Sequence, residues 1–150
     1  MNGEAYQPPE QITGFIDESN RKFSIEERSI AEILASEGKH IKALAETGDI
    51  GRFADALVSD QPVSGGTAGI LTEFKHLRPG AASTTIRNVI NNSTRKGGQA
   101  RHIFLYAAGS GLTETEAKAG LARARGIARG RLDSVRIIGD GFDVASTDFE

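Results

Sequence analysis

A carboxylate and an ammonium group stand two positions apart at the end of the apolar segment 70–75, which closes with Glu73, Phe74 and Lys75. Residues two apart in an extended strand share one face, so Glu73 and Lys75 are expected to point to the same side. Asp55 stands 18 positions upstream, in a second apolar segment. Two carboxylates can hold a divalent ion, and a lysine beside them can stabilise the charge that develops on an attacked phosphodiester. The pattern therefore indicates metal-assisted phosphodiester hydrolysis, and a plain salt bridge on a strand surface is the alternative.

The apolar periodicity around these residues predicts an α+β (mixed α/β) domain with a mixed central sheet flanked by helices. Ser24 and Glu27 form a capping box that begins a first helix, and Gly38 ends it. Three strands are expected next, over 39–45, 53–58 and 69–75. A helix from 83 to about 97, a strand over 102–107 and a helix from 113 to about 128 follow. The last strand is expected over 135–138, and 142–144 could turn back beside it. The predicted order is helix, three strands, helix, strand, helix, strand. The polar residues 1–22 are assigned to a flexible leader or linker before a domain of 23–150.

The composition is that of a globular domain, with 38% hydrophobic and 25% charged residues. There is no cysteine, which excludes disulfides and thiolate metal sites, and the chain shows neither an export signal nor a long apolar run. Its charge is strongly segregated. Residues 71–131 hold eleven Lys or Arg and three Asp or Glu, whereas 1–70 and 132–150 are both acidic. A basic block directly after the Glu73–Lys75 pair favours a polyanionic partner.

Several side chains in this block are candidates for binding a nucleic acid. Ser83, Thr84 and Thr85 open the second predicted helix, where free amides and hydroxyls suit a phosphate. Gln99 lies before the next strand, where it could orient a nucleophilic water or support Lys75. The remaining candidates for substrate contact are Arg87, Asn91, Arg95 and Arg101. A helix cap and an exposed polar helix face would use the same residue types. If no metal takes part, His76 or His102 becomes the natural general base.

The order of elements, with Asp55 on the second strand and Glu73-x-Lys75 on the third, resembles the PD-(D/E)XK nuclease core. The resemblance is best over residues 24–107. It implies that Asp55 and Glu73 bind a divalent metal such as Mg²⁺, and that Lys75 assists attack. Ala54 stands where that family carries proline.

The chain also resembles the C-terminal toxin domains of CdiA-type contact-dependent growth inhibition proteins and related bacterial polymorphic toxins. The residues that carry this resemblance are 55–58, 72–75, 83–86, 98–101 and 132–139. It implies a ribonuclease toxin that cleaves transfer RNA, with Gln99 and residues 83–85 holding the phosphate. It also implies secretion within a larger toxin, delivery into the cytoplasm of a target cell, and a cognate acidic immunity protein as partner. No membrane partner is expected.

Three alternatives remain open at this point. The first is a metal-independent transfer-RNA nuclease of the barnase, EndoU or colicin type. The second is a metal-dependent nuclease that cleaves DNA. The third is a non-catalytic nucleic-acid-binding or immunity-type protein, in which Glu73 and Lys75 form a structural ion pair.

Overall fold

A computed structural model describes residues 14–44, 55–60, 69–95, 101–147 and 149, and within them the chain forms three helices and one seven-stranded sheet. The helices are α1 (Ile25–Ser36), α2 (Ser83–Arg95) and α3 (Glu114–Ile127). The strands are β1 (Phe15–Asp17), β2 (His40–Ala43), β3 (Ala56–Ser59), β4 (Ile70–His76), β5 (His102–Tyr106), β6 (Ser134–Gly139) and β7 (Phe142–Ser146). The predicted α+β class and the predicted mixed sheet are confirmed.

The strands lie side by side in the order of the sequence. β2, β3 and β4 form an antiparallel meander, and β4, β5 and β6 run parallel to one another. β1 adds in parallel to β2, and β7 returns antiparallel to β6. The three central parallel strands therefore end at one edge of the sheet, which is where open α/β sheets place their ligands.

The helices cover both faces of the sheet. Ile30 and Leu34 of α1 pack with Phe74 of β4 on one face. Helices α2 and α3 lie on the other face, against the alternate residues of the parallel strands. Because side chains alternate along a strand, Phe74 belongs to the α1 core while Glu73 and Lys75 point toward α2. The shared face predicted for Glu73 and Lys75 is thus present.

Helices α2 and α3 approach each other closely at Gly120. A Cβ atom at Gly120 would lie 2.4 Å from the Cβ of Ile86, which is fully buried. Only a residue without a side chain allows this contact without moving a helix. The packing at Gly120 consequently sets the position of α2, and α2 covers Glu73.

A further strand lies near the start of the described residues. Strand β1 lies inside 1–22, the stretch assigned to a leader, and its first residues are tied by hydrogen bonds from the Gly14 N–H to the Ala35 carbonyl and from the Phe15 N–H to the Lys39 carbonyl. A strand of three residues is too short for an alternating pattern to reveal it. No helix in the described part of the chain has the length and apolarity needed to cross a bilayer.

Candidate active site

Asp55 caps the edge of β4 at the point where β3 begins. Its N–H donates to the Thr72 carbonyl at 3.1 Å, and its carboxylate oxygen Oδ2 accepts from the Phe74 N–H at 2.8 Å. The carboxylate thus accepts a hydrogen bond from β4 that a backbone carbonyl of the neighbouring strand would otherwise accept. This fixes the Asp55 carboxylate beside Glu73.

Asp55 lies among negative charges. Burial raises the pKa of Asp55 to about 6, and the nearby carboxylates of Glu27 and Glu73 act in the same direction, while the hydrogen bond from Phe74 opposes them. The side-chain interaction between the Asp55 and Glu27 carboxyl groups also raises the pKa of Asp55 and lowers that of Glu27. Carboxyl groups whose pKa values are perturbed by burial and by one another are concentrated at functional sites.

Glu27 enters the site from the first turn of α1. The Ser24 N–H donates to its carboxylate at 3.0 Å, which confirms the predicted capping box, and the Arg21 guanidinium lies 3.0 Å away. Burial acts to raise the pKa of Glu27, but the Ser24 N–H and Arg21 outweigh it, so the pKa lies below its usual value. Arg21 also donates to the carbonyl of Asp55 at 3.0 Å, which ties α1 to the start of β3.

Glu73 and Lys75 form an ion pair under α2. Glu73 is only 4% exposed, and the Lys75 Nζ lies 3.3 Å from its Oε2. The Ser93 hydroxyl of α2 donates to the same oxygen at 3.2 Å. The Lys75 side chain is about one third exposed, so it joins a buried carboxylate to a solvent-accessible surface.

A cavity of about 250 Å³ lies between the start of α1 and the end of β4. Glu27 and Lys75 both line it. The Asp55 carboxylate binds the backbone between Glu73 and Lys75, and these two form an ion pair, so the three predicted residues are neighbours. Glu27 approaches Asp55 from α1. Sequence reasoning placed Glu27 correctly as a helix cap, but nothing in a capping box indicates that the same carboxylate also approaches Asp55.

The carboxylates fit a divalent cation in their chemistry, although they are few. Among the described residues, no group of three or more His, Cys, Asp or Glu is arranged to hold a metal ion. Asp55 and Glu73 are close enough that the charge of Glu73 raises the pKa of Asp55. A cation between them would relieve this repulsion, and Mg²⁺ commonly takes only one or two protein carboxylates, with water and phosphate completing its shell.

The start of α2 is already occupied by protein groups. The Ser83 N–H, predicted to bind phosphate, donates to the Glu116 carboxylate of α3 at 2.7 Å. The Thr85 hydroxyl accepts from the Ala82 N–H at 3.0 Å, while Thr84 is exposed. A phosphate at this point would have to displace a carboxylate. The structure thus gives Ser83 and Thr85 a role in closing the helix end.

The other predicted substrate contacts lie along α2 and beyond its end. Arg87 is exposed on α2 and donates to the Asn88 side chain at 2.9 Å, and Asn91 is half-buried. Arg95 is the last residue of α2, and Gln99 lies outside the described residues.

Arg101 lies at the amino end of β5, whereas Lys75 pairs with Leu105 near the carboxyl end. The Arg101 guanidinium donates to both carboxylate oxygens of Asp133 at 3.1 and 3.2 Å and to the Gly130 carbonyl at 3.3 Å. Arg101 thus lies at the other end of the strand from Lys75 and is paired with Asp133, and its contact with substrate stays a prediction.

The two central histidines lie at opposite ends of the parallel strands. His102 lies at the amino end of β5, where its Nδ1 is 2.6 Å from the Ser134 hydroxyl and burial lowers its pKa. His76 ends β4 and lines the cavity beside Lys75. Only His76 is therefore placed to serve the candidate site.

Comparison with known proteins identifies a family. The family model described as "Contact-dependent growth inhibition CdiA C-terminal domain" matches residues 67–144. No curated protein and no solved structure matches the chain. The matched region begins just before β4 and ends within β7, so it contains Glu73, Lys75, α2 and α3.

Proposed function

The chain belongs to the family of CdiA C-terminal domains of contact-dependent growth inhibition, and from this premise we propose that it is a nuclease toxin that cleaves RNA, with transfer RNA as substrate. A CdiA C-terminal domain is part of a secreted toxin that acts by contact. We further propose that this domain reaches the cytoplasm of the target cell, where transfer RNA is found.

The Glu73–Lys75 pair carries this proposal. Burying an ion pair is costly, and apolar residues of the same volume would stabilise a fold as well or better. Here the buried carboxylate stands next to Asp55, whose pKa is raised, and the Lys75 side chain, about one third exposed, connects it to the surface. This arrangement lowers the free energy of unfolding, and a catalytic role would explain why the chain keeps it.

The proposed chemistry divides the work among these side chains. Asp55 and Glu73 would hold Mg²⁺, which when bound supplies Lewis-acid stabilisation of the phosphate charge and a more acidic water. Lys75 donates from Nζ to the attacked phosphate and stabilises the negative charge that develops there. Gln99 is proposed to orient the attacking water. Phe74, whose N–H fixes Asp55, and Ser93, which fixes Glu73, keep both carboxylates in place.

A metal-independent ribonuclease is the second candidate, and one contact favours it. The Oε2 of Glu73 already accepts from both Lys75 and Ser93, which leaves that oxygen less available to a cation. In this case Lys75 would stabilise the charged transition state and His76 would act as general base.

Cleavage of total transfer RNA with and without EDTA tests the proposal. Cleavage abolished by EDTA and restored by Mg²⁺ supports the metal-dependent enzyme, and EDTA-resistant cleavage supports the second candidate. A parallel reaction with duplex and single-stranded DNA tests the substrate class. The variant Lys75→Ala, purified in the same way, controls for contaminating nucleases. A folded wild-type chain that cleaves neither RNA nor DNA would refute the nuclease proposal.

We also propose a small acidic immunity protein as partner. A domain that cleaves transfer RNA would harm the cell that makes it, and an acidic surface placed over a basic one gives fast, electrostatically steered binding. Exposed cations on α2 and α3, including Arg87, Lys118 and Arg123, offer such a surface. Expression of this chain should arrest growth, and co-expression of its immunity protein should relieve the arrest. Harmless expression of a folded, soluble chain would argue against the toxin.

A further inference from the structure

Arg78 stands between two cavities at the carboxyl end of β4. The first, of about 250 Å³, contains Lys75 and lies against the start of α1. The second, of about 260 Å³, lies against the first turns of α2 and is lined by Thr85 and Val89. His76 and Arg78 are common to both cavities. A chain that passed through one cavity into the other would therefore cross these two residues.

The backbone around Arg78 is held firmly. The Leu77 N–H donates to the Tyr106 carbonyl at 2.8 Å, which continues the pairing of β4 with β5, and Leu77 is buried. The Gly80 N–H donates to the Ser110 carbonyl at 2.9 Å, and Gly80 adopts a φ of +92°, which glycine tolerates. Pro79 between them has a fixed φ. Arg78 is consequently presented from a rigid turn.

The Arg78 side chain has no protein partner within the described residues, since no hydrogen bond, ion pair or ring contact involves it there. The acidic residues that line the first cavity are Glu26 and Glu27, and Glu27 is bound by Arg21. Arginine binds phosphate through two parallel N–H groups in a planar fork. A rigidly presented arginine with no partner among the described residues, at the edge of the cavity that Lys75 lines, is suited to that ligand.

His76 adds an aromatic ring to the same place. Its ring packs edge-to-face on Tyr106, with the centroids 5.1 Å apart. The two residues are cross-strand neighbours of β4 and β5. The ring of His76 is therefore held in one orientation beside Arg78, where it can contact the sugar or base that follows a bound phosphate.

We propose that Arg78 and His76 form a subsite for the nucleotide next to the scissile phosphate of an RNA strand. Arg78 binds the neighbouring phosphate and His76 contacts the attached nucleoside, while Lys75 faces the phosphate that is cleaved. The inference rests on the proposed function. It also explains how the chain can bind RNA although Ser83 and Arg101, two of the predicted phosphate contacts, are held by Glu116 and Asp133.

Binding and cleavage are measured separately to test the subsite. A labelled 2′-O-methyl RNA oligonucleotide in EDTA stays intact whether or not the cleavage reaction requires a metal. Fluorescence anisotropy therefore reports affinity alone. Arg78→Ala should weaken binding about ten- to a hundredfold, because a charge-assisted hydrogen bond is lost, and should lower the salt slope by about one. Arg78→Lys should recover only part of the affinity, since it keeps the charge but loses the fork. His76→Ala should weaken binding about tenfold.

Arg131→Ala is the matched control, because Arg131 is exposed at the opposite end of the parallel strands and its loss changes the charge equally. It should change affinity less than threefold. Equal losses in Arg78→Ala and Arg131→Ala, or no binding by the folded wild type, would overturn the subsite. In the cleavage assay Arg78→Ala should raise KM more than it lowers kcat. If the oligonucleotide binds through Arg78 but RNA is never cleaved, the subsite stands and the nuclease proposal fails.

Discussion

The pair of Glu73 and Lys75 allows a structural role to be separated from a catalytic one. Three variants are compared with the wild type, namely Lys75→Met, Glu73→Gln and the double variant. Lys75→Met leaves the Glu73 carboxylate buried without its cation. Glu73→Gln keeps an acceptor for the Ser93 hydroxyl and releases Lys75, which can turn toward solvent because it is about one third exposed. The double variant removes both charges and keeps both shapes.

The distance between the two charges sets the expected changes in the free energy of unfolding. At 3.3 Å, two unit charges attract by about 5 kcal/mol with an effective dielectric constant of about 20. Solvent reaches Lys75 and screens part of this attraction, so Lys75→Met should destabilise the fold by about 2–3 kcal/mol. Glu73→Gln should cost about 1 kcal/mol or less, because it also relieves the repulsion of Asp55. The double variant should regain most of the stability that Lys75→Met loses.

Catalysis should follow a different order. If Glu73 and Lys75 act on the phosphate, all three variants should cleave transfer RNA at least about 10²-fold more slowly, the double variant included. Urea unfolding followed by circular dichroism gives the stabilities, and single-turnover cleavage gives the rates. Activity that recovers together with stability in the double variant would show that the pair is structural. A Lys75→Met protein as stable as the wild type would refute the electrostatic argument itself.

Three other contacts are open to equally direct tests. Because the pKa of Asp55 rises from 3.8 to about 6 on folding, the folded state binds more protons in that range, and Asp55 stabilises it increasingly as the pH falls from 6 toward 4. Asp55→Asn should remove this contribution from the urea midpoints at pH 7 and 5, and an unchanged pH dependence would contradict the carboxylate cluster. Gly120→Ala should destabilise the fold by about 1–3 kcal/mol because α2 and α3 must separate. Gly126→Ala, whose Cβ would meet open space, should be neutral or slightly stabilising in the same melts, and equal effects would refute the packing argument. Arg87→Ala should lower the salt slope of RNA binding by about one, whereas Arg101→Ala should lower the melting temperature and leave the slope unchanged, because Arg101 is already paired. A lowered slope for Arg101→Ala would restore it as a phosphate contact.

Local signals in the sequence were sufficient for the elements that carry the site. The strand period placed Glu73 and Lys75 on one face, and the capping box at Ser24 and Glu27 began α1 where predicted. The closing turn at Gly141 also connects β6 to β7 as an antiparallel pair. Each of these features depends on residues within a few positions of one another, which is the range that periodicity and capping describe.

Contacts between distant segments could not be predicted in this way. Glu116 lies in the first turn of α3, where the Thr113 hydroxyl accepts from its N–H, but the Glu116 carboxylate reaches Ser83, 33 positions away. Arg101 similarly meets Asp133 at a separation of 32. A charged side chain looks the same in the sequence whether it is free for a phosphate or bound by a distant partner. The substrate-binding residues were therefore less predictable than the Asp55, Glu73 and Lys75 cluster.

The candidate site is assembled across the boundary of the region that the family shares. Residues 67–144 contain Glu73 and Lys75, whereas Asp55 and Glu27 lie upstream. The upstream part is nevertheless inseparable from the pair, because the Asp55 carboxylate binds the Phe74 N–H between Glu73 and Lys75. Any movement of α1 or β3 would shift Asp55 and, through Phe74, the strand that carries both catalytic candidates. The matched region thus supplies the proposed attack on the phosphate, and the residues before it supply the charge environment in which that attack would occur.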